Sequence, residues 1–410
     1  MRVLFQSRID LFDRRGGDTV QMERTAQELN KLSVDVDIDC SPRKNLSQYD
    51  LVHLFNIDWP ANVYLCARNA KKQGKPIVLS PIHHSFEEIE RYEREYQFGL
   101  RRIVNLLFRG REQREKFKDF YRAVVDPKKI PSTIVEFKKG VMEEQRELLG
   151  MVHAVLVQTE AETADIVEDF GVCFSIAAGE APGASRVLAP GARECGGRVY
   201  KVVNGVDQRF ANAMPDWFIE NYGWEDFVVC VGRVEPRKNQ LAVIAAGFRL
   251  RERQVPSFSQ GRDFQTPQLL FVGKISWRHP EYALRFKNLV RKYNWIKHIE
   301  SIPYKKMGSV YAAANTHVSA SWFETTGLVS LEAGLAGCNV VAAGDRARDY
   351  LGDFAFYCDP GKLDSVTKAI SKAMQNKPSP LLKPHILENF TWDKTAEQTL
   401  AVYRTVLGVD

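Results

Sequence analysis

The sequence predicts an α/β protein of two doubly wound halves, on three observations. At 410 residues the chain exceeds the span of a single hydrophobic core, so two domains are expected. In each half, short apolar runs alternate with amphipathic helical stretches, the pattern of a parallel sheet with helices on its faces. Several of these runs end in glycine-containing polar turns, at Gly16 and Gly17, at Gly232 and Arg233, and at Thr326 and Gly327. Ligands of doubly wound sheets bind beyond the carboxyl ends of the strands, where such turns lie.

Residues 2–7 read as a buried first strand, followed by a polar loop ending in Arg14, Arg15, Gly16 and Gly17. Asp18 with Gln21 three residues on has the form of a helix cap, so a helix is expected from there to Leu32. Its apolar positions Met22, Ala26 and Leu29 keep helical spacing. Val34, Val36 and Ile38 alternate with aspartates as a second strand. Residues 51–55 form a third and 76–82 a fourth. The glycine pair does not complete a GxGxxG fingerprint, which argues against a nicotinamide dinucleotide. A paired glycine before a helix does permit close approach of a phosphate, the ordinary alternative being a tight turn. The fourth strand runs into Ile82, His83 and His84, and adjacent side chains cannot both face the crevice.

Residues 86–149 read as helical, charged and aromatic. Leu106, Leu107 and Phe108 sit among arginines, then Phe117, Phe120 and Tyr121 beside Lys116, Lys118 and Arg122. The net charge of the chain is +6, and residues 91–139 carry 14 Lys plus Arg against 7 Asp plus Glu. Such a basic region points to an anionic partner, for example a membrane surface or a charged glycan, or else is a solvated helical face. It lacks any recognised nucleic-acid module, and its aromatics lie beside charges rather than on a stacking platform, so no nucleic acid is expected. Residues 154–158 return to strand character, 160–170 to helix, and the glycine-rich 171–198 reads as loop. A last strand at 200–203 ends in Asn204, Gly205, Val206 and Asp207, placing the domains at 1–210 and 211–391.

The second half repeats the pattern. Strands are expected at 227–231, 268–272, 298–302, 317–321, 339–343 and 354–358. Helices are expected at 239–253, 282–293, 306–315, 327–336 and 363–375, with a final one at 392–407 after the proline-rich 377–384. Seven scattered cysteines without a CxxC pair argue against a disulfide framework and a zinc site. The start lacks a signal-peptide pattern, and no run of 18 apolar residues exists, so a cytoplasmic protein is expected.

The most pointed chemistry lies at 316–344. A glycine-containing turn feeding a helix N-terminus leaves backbone N–H groups for a phosphate. Glu324 precedes this helix and Glu332 lies within it, at most about 12 Å away at 1.5 Å per helical residue. Carboxylates beside a phosphate suit hydroxyl partners. Arg233 and Lys238, on the loop after the first strand of this half, supply the positive charge that a diphosphate leaving group needs.

With these pieces in order, the chain resembles the retaining GT-B glycosyltransferases of glycosyltransferase family 4 over nearly its whole length. The matching segments are GG at 16–17, IHH at 82–84, AVLVQTEAE at 154–162, NGVD at 204–207, GRVEPRKN at 232–239 and FETTGLVSLEAGLAGCNVVA at 323–342, which carries Glu-x7-Glu. The resemblance implies two Rossmann-like domains facing across a cleft, an acceptor domain and a donor domain, with helix 392–410 crossing back to the first. It implies that Arg233 and Lys238 hold the nucleotide diphosphate, Glu324 the donor-sugar hydroxyls and Glu332 the ribose. Backbone amides of Thr326, Gly327 and Leu328 would bind the distal phosphate. Gly16 and Gly17 would close over the phosphates or the acceptor, and His83, chosen over His84 on motif register, would lie by the sugar. The base would pack near Ile302 and Tyr304, and Gly232 opens the cation loop. Where the family commonly has Glu-Gly-Phe-Gly, this chain has Glu324, Thr325, Thr326 and Gly327, so no donor preference carries over.

The implied activity is transfer of a sugar from a nucleotide-diphosphate sugar to a glycan or lipid-linked glycan acceptor, with retention and without a metal or other cofactor. Bacterial surface polysaccharide assembly is the expected setting, in the cytoplasm or peripheral on the inner face of the membrane. A GT-B nucleotide-sugar epimerase and a catalytically silent nucleotide-sugar-binding scaffold are the alternatives.

Overall fold

The computed structural model of the chain describes residues 1–13, 15–95, 140–176, 193–252 and 267–409. These divide into two compact units: one takes the described residues within 1–86, 140–205 and 392–409, the other those within 87–95 and 206–391. Most of the basic segment read from the sequence, 96–139, lies outside the described residues, as does 177–192.

The first unit is built on β1 (Arg2–Gln6), β2 (Asp35–Ile38), β3 (Leu51–Phe55), β4 (Ile77–Ser80), β5 (Ala154–Val157), β6 (Val172–Ile176) and β7 (Arg193–Lys201). They form one sheet in the order β2-β1-β3-β4-β5-β7-β6, every neighbouring pair parallel. Strands β3, β4 and β5 are buried along their whole length, as a parallel sheet covered on both faces requires. Its described helices are α1 (Gly17–Lys31), α2 (Pro60–Lys72), α4 (Val141–Leu149) and α5 (Glu160–Phe170), while α3 (Phe86–Glu95) groups from Glu87 on with the second unit.

The last helix of the chain, Trp392–Leu407, belongs to this unit and packs on α1. Its anchor is Tyr403, fully buried, whose hydroxyl meets His53 Nδ1 at 2.5 Å while His53 Nε2 meets Ser80 Oγ at 2.9 Å. Burial pushes His53 down to about 3, so a neutral imidazole joins the helix to the centre of the sheet.

In the second unit, β8 (Phe227–Val231), β9 (Leu269–Val272), β10 (Ile296–Ile299), β11 (Ala314–Ser319), β12 (Asn339–Ala343) and β13 (Phe356–Cys358) form a sheet in the order β10-β9-β8-β11-β12-β13. All pairs are again parallel. The sequence runs outward from β8 through β9 and β10, then restarts beside β8 with β11, so the order reverses between β8 and β11. Its helices are α6 (Asp216–Tyr222), α7 (Gln240–Glu252), α8 (Pro280–Lys292), α9 (Met307–Ala313), α10 (Leu328–Leu335), α11 (Arg348–Leu351), α12 (Leu363–Gln375) and α13 (Leu382–Asn389). Gly273, at φ +145°, ends β9 so close to β8 that a Cβ there would stand 2.1 Å from the Gly232 carbonyl oxygen.

Several expectations are corrected. Residues 171–198, read as loop, contain β6 and the start of β7, a pair at the sheet edge whose register shifts where Cys173 to Ser175 face Glu194 to Arg198, the stretch that holds Gly196 and Gly197. Helix α1 begins at Gly17 with Gly16 as its cap, and Asp18 accepts from Arg8 Nε at 2.8 Å through Oδ2 and from the Thr19 N–H at 2.8 Å through Oδ1. Helices α6 and α13 were not anticipated, the second lying partly in the proline-rich stretch. Strand β10 starts two residues earlier than expected and β11 three. Residues 87–95, placed in the first domain, group with the second unit, because Arg91 bonds Asp359 at 2.5 Å and the Tyr92 ring meets Phe323 at 5.6 Å. No helix among the described residues is long and apolar enough to cross a membrane.

Replacing Tyr403 by Ala removes a fully buried aromatic and strands His53. A loss of about 3–5 kcal/mol is expected in chemical unfolding followed on the first unit.

Candidate active site

In the second unit, Gly232 leaves β8 at φ +143° and opens the loop that carries Arg233, Glu235, Arg237 and Lys238. Pro236 starts a 3₁₀ turn, Pro236–Lys238, which presents the last two cations toward β11. Lys238 Nζ forms an ion pair with Glu324 Oε1. Arg237 stands 3.9 Å from Glu324 Oε2, 3.3 Å from Glu235 Oε1, and over the Phe323 ring at 5.5 Å. Arg233 meets this cluster through Glu235, its guanidinium 3.7 Å from Oε2 and its side chain 47% exposed. Burial opposes the charge of Glu324, but the Lys238 ammonium and the Arg237 guanidinium outweigh it and hold the carboxyl down to about 2. Glu324 is a fixed anion.

The turn after Glu324 is buried at Thr325 and Thr326 and leads to Gly327, which caps α10. A Cβ on Gly327 would stand 2.8 Å from the Tyr350 hydroxyl, to which the Gly327 N–H also donates. The Leu328 N–H donates to the Thr326 carbonyl at 3.0 Å. Two of the three amides expected to serve a phosphate therefore have protein partners in this state. Ser330 Oγ, in the first turn of α10, is buried with no hydrogen-bond partner among the described residues.

Glu332 sits one turn further into α10. The Tyr304 hydroxyl donates to its Oε1 at 2.9 Å and the Tyr311 hydroxyl to its Oε2 at 3.1 Å. Burial pushes this carboxyl up to about 7, against the two hydroxyls. Ile302, just before the Tyr304 turn, is buried. Of the residues expected here, Gly232, Lys238 and Glu324 are brought together, and Tyr304 joins Glu332. Arg237 was missed, although its place beside Lys238 after a proline turn was a usable signal.

In the first unit, Gly16 and Gly17 lie at the start of α1. A Cβ on Gly16 would come 2.9 Å from Asp18 Oδ1, while Gly17 has open space around it. His83 is fully buried. Its Nδ1 is 2.7 Å from Asp58 Oδ1 and its Nε2 2.8 Å from Asp169 Oδ2. Burial opposes protonation of this imidazole, but the Asp58 and Asp169 carboxylates outweigh it and raise it to about 9. Asp58 is held well below the usual carboxylate range: burial raises it, and the His83 charge more than compensates. His83 is thus clamped between two carboxylates that favour its protonated form. The partly exposed His84 bonds Asp58 Oδ2 through both its N–H and Nδ1, each at 3.0 Å.

Glu162 completes this cluster, accepting from the backbone N–H groups of His83 and Gln158, each at 2.7 Å. Its signal was legible as a capping box: Thr159 Oγ1 accepts from the Glu162 N–H three residues on, at 3.1 Å.

The fold matches solved proteins of the GT-B class. Sucrose-phosphate synthase from Thermosynechococcus elongatus superposes with a TM-score of 0.65 at 14% identity, over 100% of both chains. Anabaena HepE, solved with UDP and glucose, superposes at 0.63 and 15% identity, over 99% of this chain and 100% of the other. At such identities the likeness is one of fold: two Rossmann-like α/β domains. Residues 218–384, which span the Lys238 loop, Glu324 and Glu332, match the family model of glycosyl transferases group 1. Among curated proteins, O-antigen chain mannosyltransferase B of Escherichia coli is 25% identical over 186 residues, 44% of this chain and 46% of that protein. D-inositol 3-phosphate glycosyltransferase of Kribbella flavida is 28% identical over 206 residues, 44% of each. The matches thus take in a little under half the length of these relatives.

A pH test follows for the His83 clamp. A histidine raised in the folded state stabilises fully below its unfolded value near 6.5, and that stability is lost as pH rises through about 9. The unfolding midpoint of the wild type should fall between pH 7 and 9.5 by several degrees more than that of His83→Gln, with circular dichroism as the measurement.

Proposed function

We propose that the protein is a retaining glycosyltransferase that moves a sugar from a nucleotide-diphosphate sugar to a glycan or lipid-linked glycan, in the assembly of a bacterial surface polysaccharide. The observation that carries this reading is the Lys238–Glu324 pair at the point where the strand order reverses, within the segment matching glycosyl transferases group 1. The O-antigen relative favours surface polysaccharide.

In this mechanism the donor diphosphate competes with Glu324 for the Lys238 ammonium, with Arg233 as a second cation. Glu324, kept ionised, then accepts hydroxyls of the donor sugar. The bond from the anomeric carbon to the phosphate oxygen breaks as the acceptor hydroxyl attacks from the same face, and the leaving phosphate takes the acceptor proton. The two cations stabilise the charge that develops on the diphosphate, a role that elsewhere falls to a divalent ion. The enzyme is proposed to act on the cytoplasmic face of the membrane, drawn there by the basic segment 91–139.

A thermal-shift screen of nucleoside diphosphates and their sugars should give one selective stabiliser. With that donor, Lys238→Ala or Arg233→Ala should lower turnover about 100-fold or more, and chelation by EDTA should leave it intact. Near-normal turnover in Lys238→Ala would overturn the assignment. Product that forms without any acceptor glycan would favour the epimerase instead. Flotation with anionic liposomes at low salt should carry the protein upward, and failure to float would leave the basic segment as a solvated face or an acceptor site.

A further inference from the structure

Glu332 is held by two tyrosines in unlike settings. Tyr311 on α9 is fully buried within the unit. Tyr304 lies in a 3₁₀ turn, Tyr304–Lys306, and is 39% exposed. What fixes the Tyr304 ring comes from a distant stretch of chain. The Arg209 guanidinium carbon lies 4.6 Å from the ring centroid, and Phe210 meets the ring edge-on at 5.6 Å. Arg209 also donates to the Tyr304 carbonyl at 3.5 Å. Asp207 holds Arg209 in turn: its Oδ2 is 3.2 Å from Arg209 Nε, and its Oδ1 accepts from the Arg209 N–H at 3.2 Å.

This chain of contacts ends on a carboxylate with capacity to spare. An ionised carboxylate has about four acceptor positions, and the two tyrosines use one on each oxygen. About two remain, and a ribose offers two adjacent hydroxyls. We propose that Arg209 and Tyr304 are positioning residues for ribose recognition, holding the Glu332 carboxylate so that it accepts the 2′- and 3′-hydroxyls of a nucleoside diphosphate. Arg209 acts through Tyr304, not through the nucleotide. The proposal rests on the glycosyltransferase reading above.

Without the Tyr304 hydroxyl, Oε1 loses the donor that fixes its direction, and a buried carboxyl with fewer donors is more easily protonated. A protonated Glu332 accepts ribose hydroxyls less well. Loss of Arg209 acts in the same direction, by releasing the ring that carries the hydroxyl.

The test is calorimetric titration of uridine and guanosine diphosphates and their 2′,3′-dideoxy forms into wild type, Tyr304→Phe, Arg209→Ala and Arg209→Lys. Wild type should prefer the ribo form about tenfold or more, as hydrogen bonds to a charged group require. Tyr304→Phe and Arg209→Ala should reduce that preference severalfold by weakening the ribo form alone. Arg209→Lys, which keeps a cation over the ring, should retain most of it. An unchanged preference in both weakening variants, an equal loss for ribo and dideoxy forms, or no preference in wild type would overturn the proposal. Failure of wild type to bind any nucleoside diphosphate would overturn the glycosyltransferase reading itself.

Discussion

In the second unit β8 and β11 lie side by side although β9 and β10 separate them in the chain, and the Lys238–Glu324 ion pair exists only because they do. Register pairs His317 with Val229, so the loop leaving β8 and the turn leaving β11 emerge at one level. The approach of β9 to β8 at Gly273 fixes the path of the cation loop from the other side. An ion pair of this kind is poor support for stability, because burial costs each partner its hydration. Its consequence is chemical: a carboxylate held in its charged form stands beside a cation at the point where open α/β sheets take their ligands.

The two glutamates of this site, eight residues apart, are driven in opposite directions by their neighbours. Glu324 has two cations beside it and stays ionised down to about 2. Glu332 has hydroxyl groups rather than cations at its oxygens, and burial lifts it to about 7. One is suited to balance charge in the cluster, the other to exchange hydrogen bonds with hydroxyls. The first unit uses carboxylates differently again. Asp58 and Asp169 enclose His83, and Glu162 ties the ends of β4 and β5 through backbone N–H groups.

The alternation of strands and helices was legible in the sequence because central parallel strands are apolar on both faces, as in β3 and β5, and amphipathic helices keep their period, as in α1. Boundaries failed where local chemistry misled. Asp18 has the form of a helix cap but is drawn to Arg8. The glycines of 171–198 suggest loop, yet edge pairing makes strands of part of them. At the candidate site, motif spacing pointed to Glu324, Glu332, Lys238 and Arg233, and the structure pairs Lys238 with Glu324. It did not point to Arg237 or Arg209, whose ring and carboxylate contacts arise only on packing.

By itself the sequence determined the two-sheet α/β plan and the residue types at the strand ends, because periodicity and turn chemistry are local properties of the chain. Only the tertiary structure decided which of those residues touch and in what state of charge. Lys238 meets Glu324 across 86 residues, and Tyr304 meets Glu332 across 28. His83 becomes an enclosed imidazolium when Asp58 and Asp169 arrive from separate elements. Protonation answers to burial and to neighbouring charges, and both are fixed only when distant segments pack.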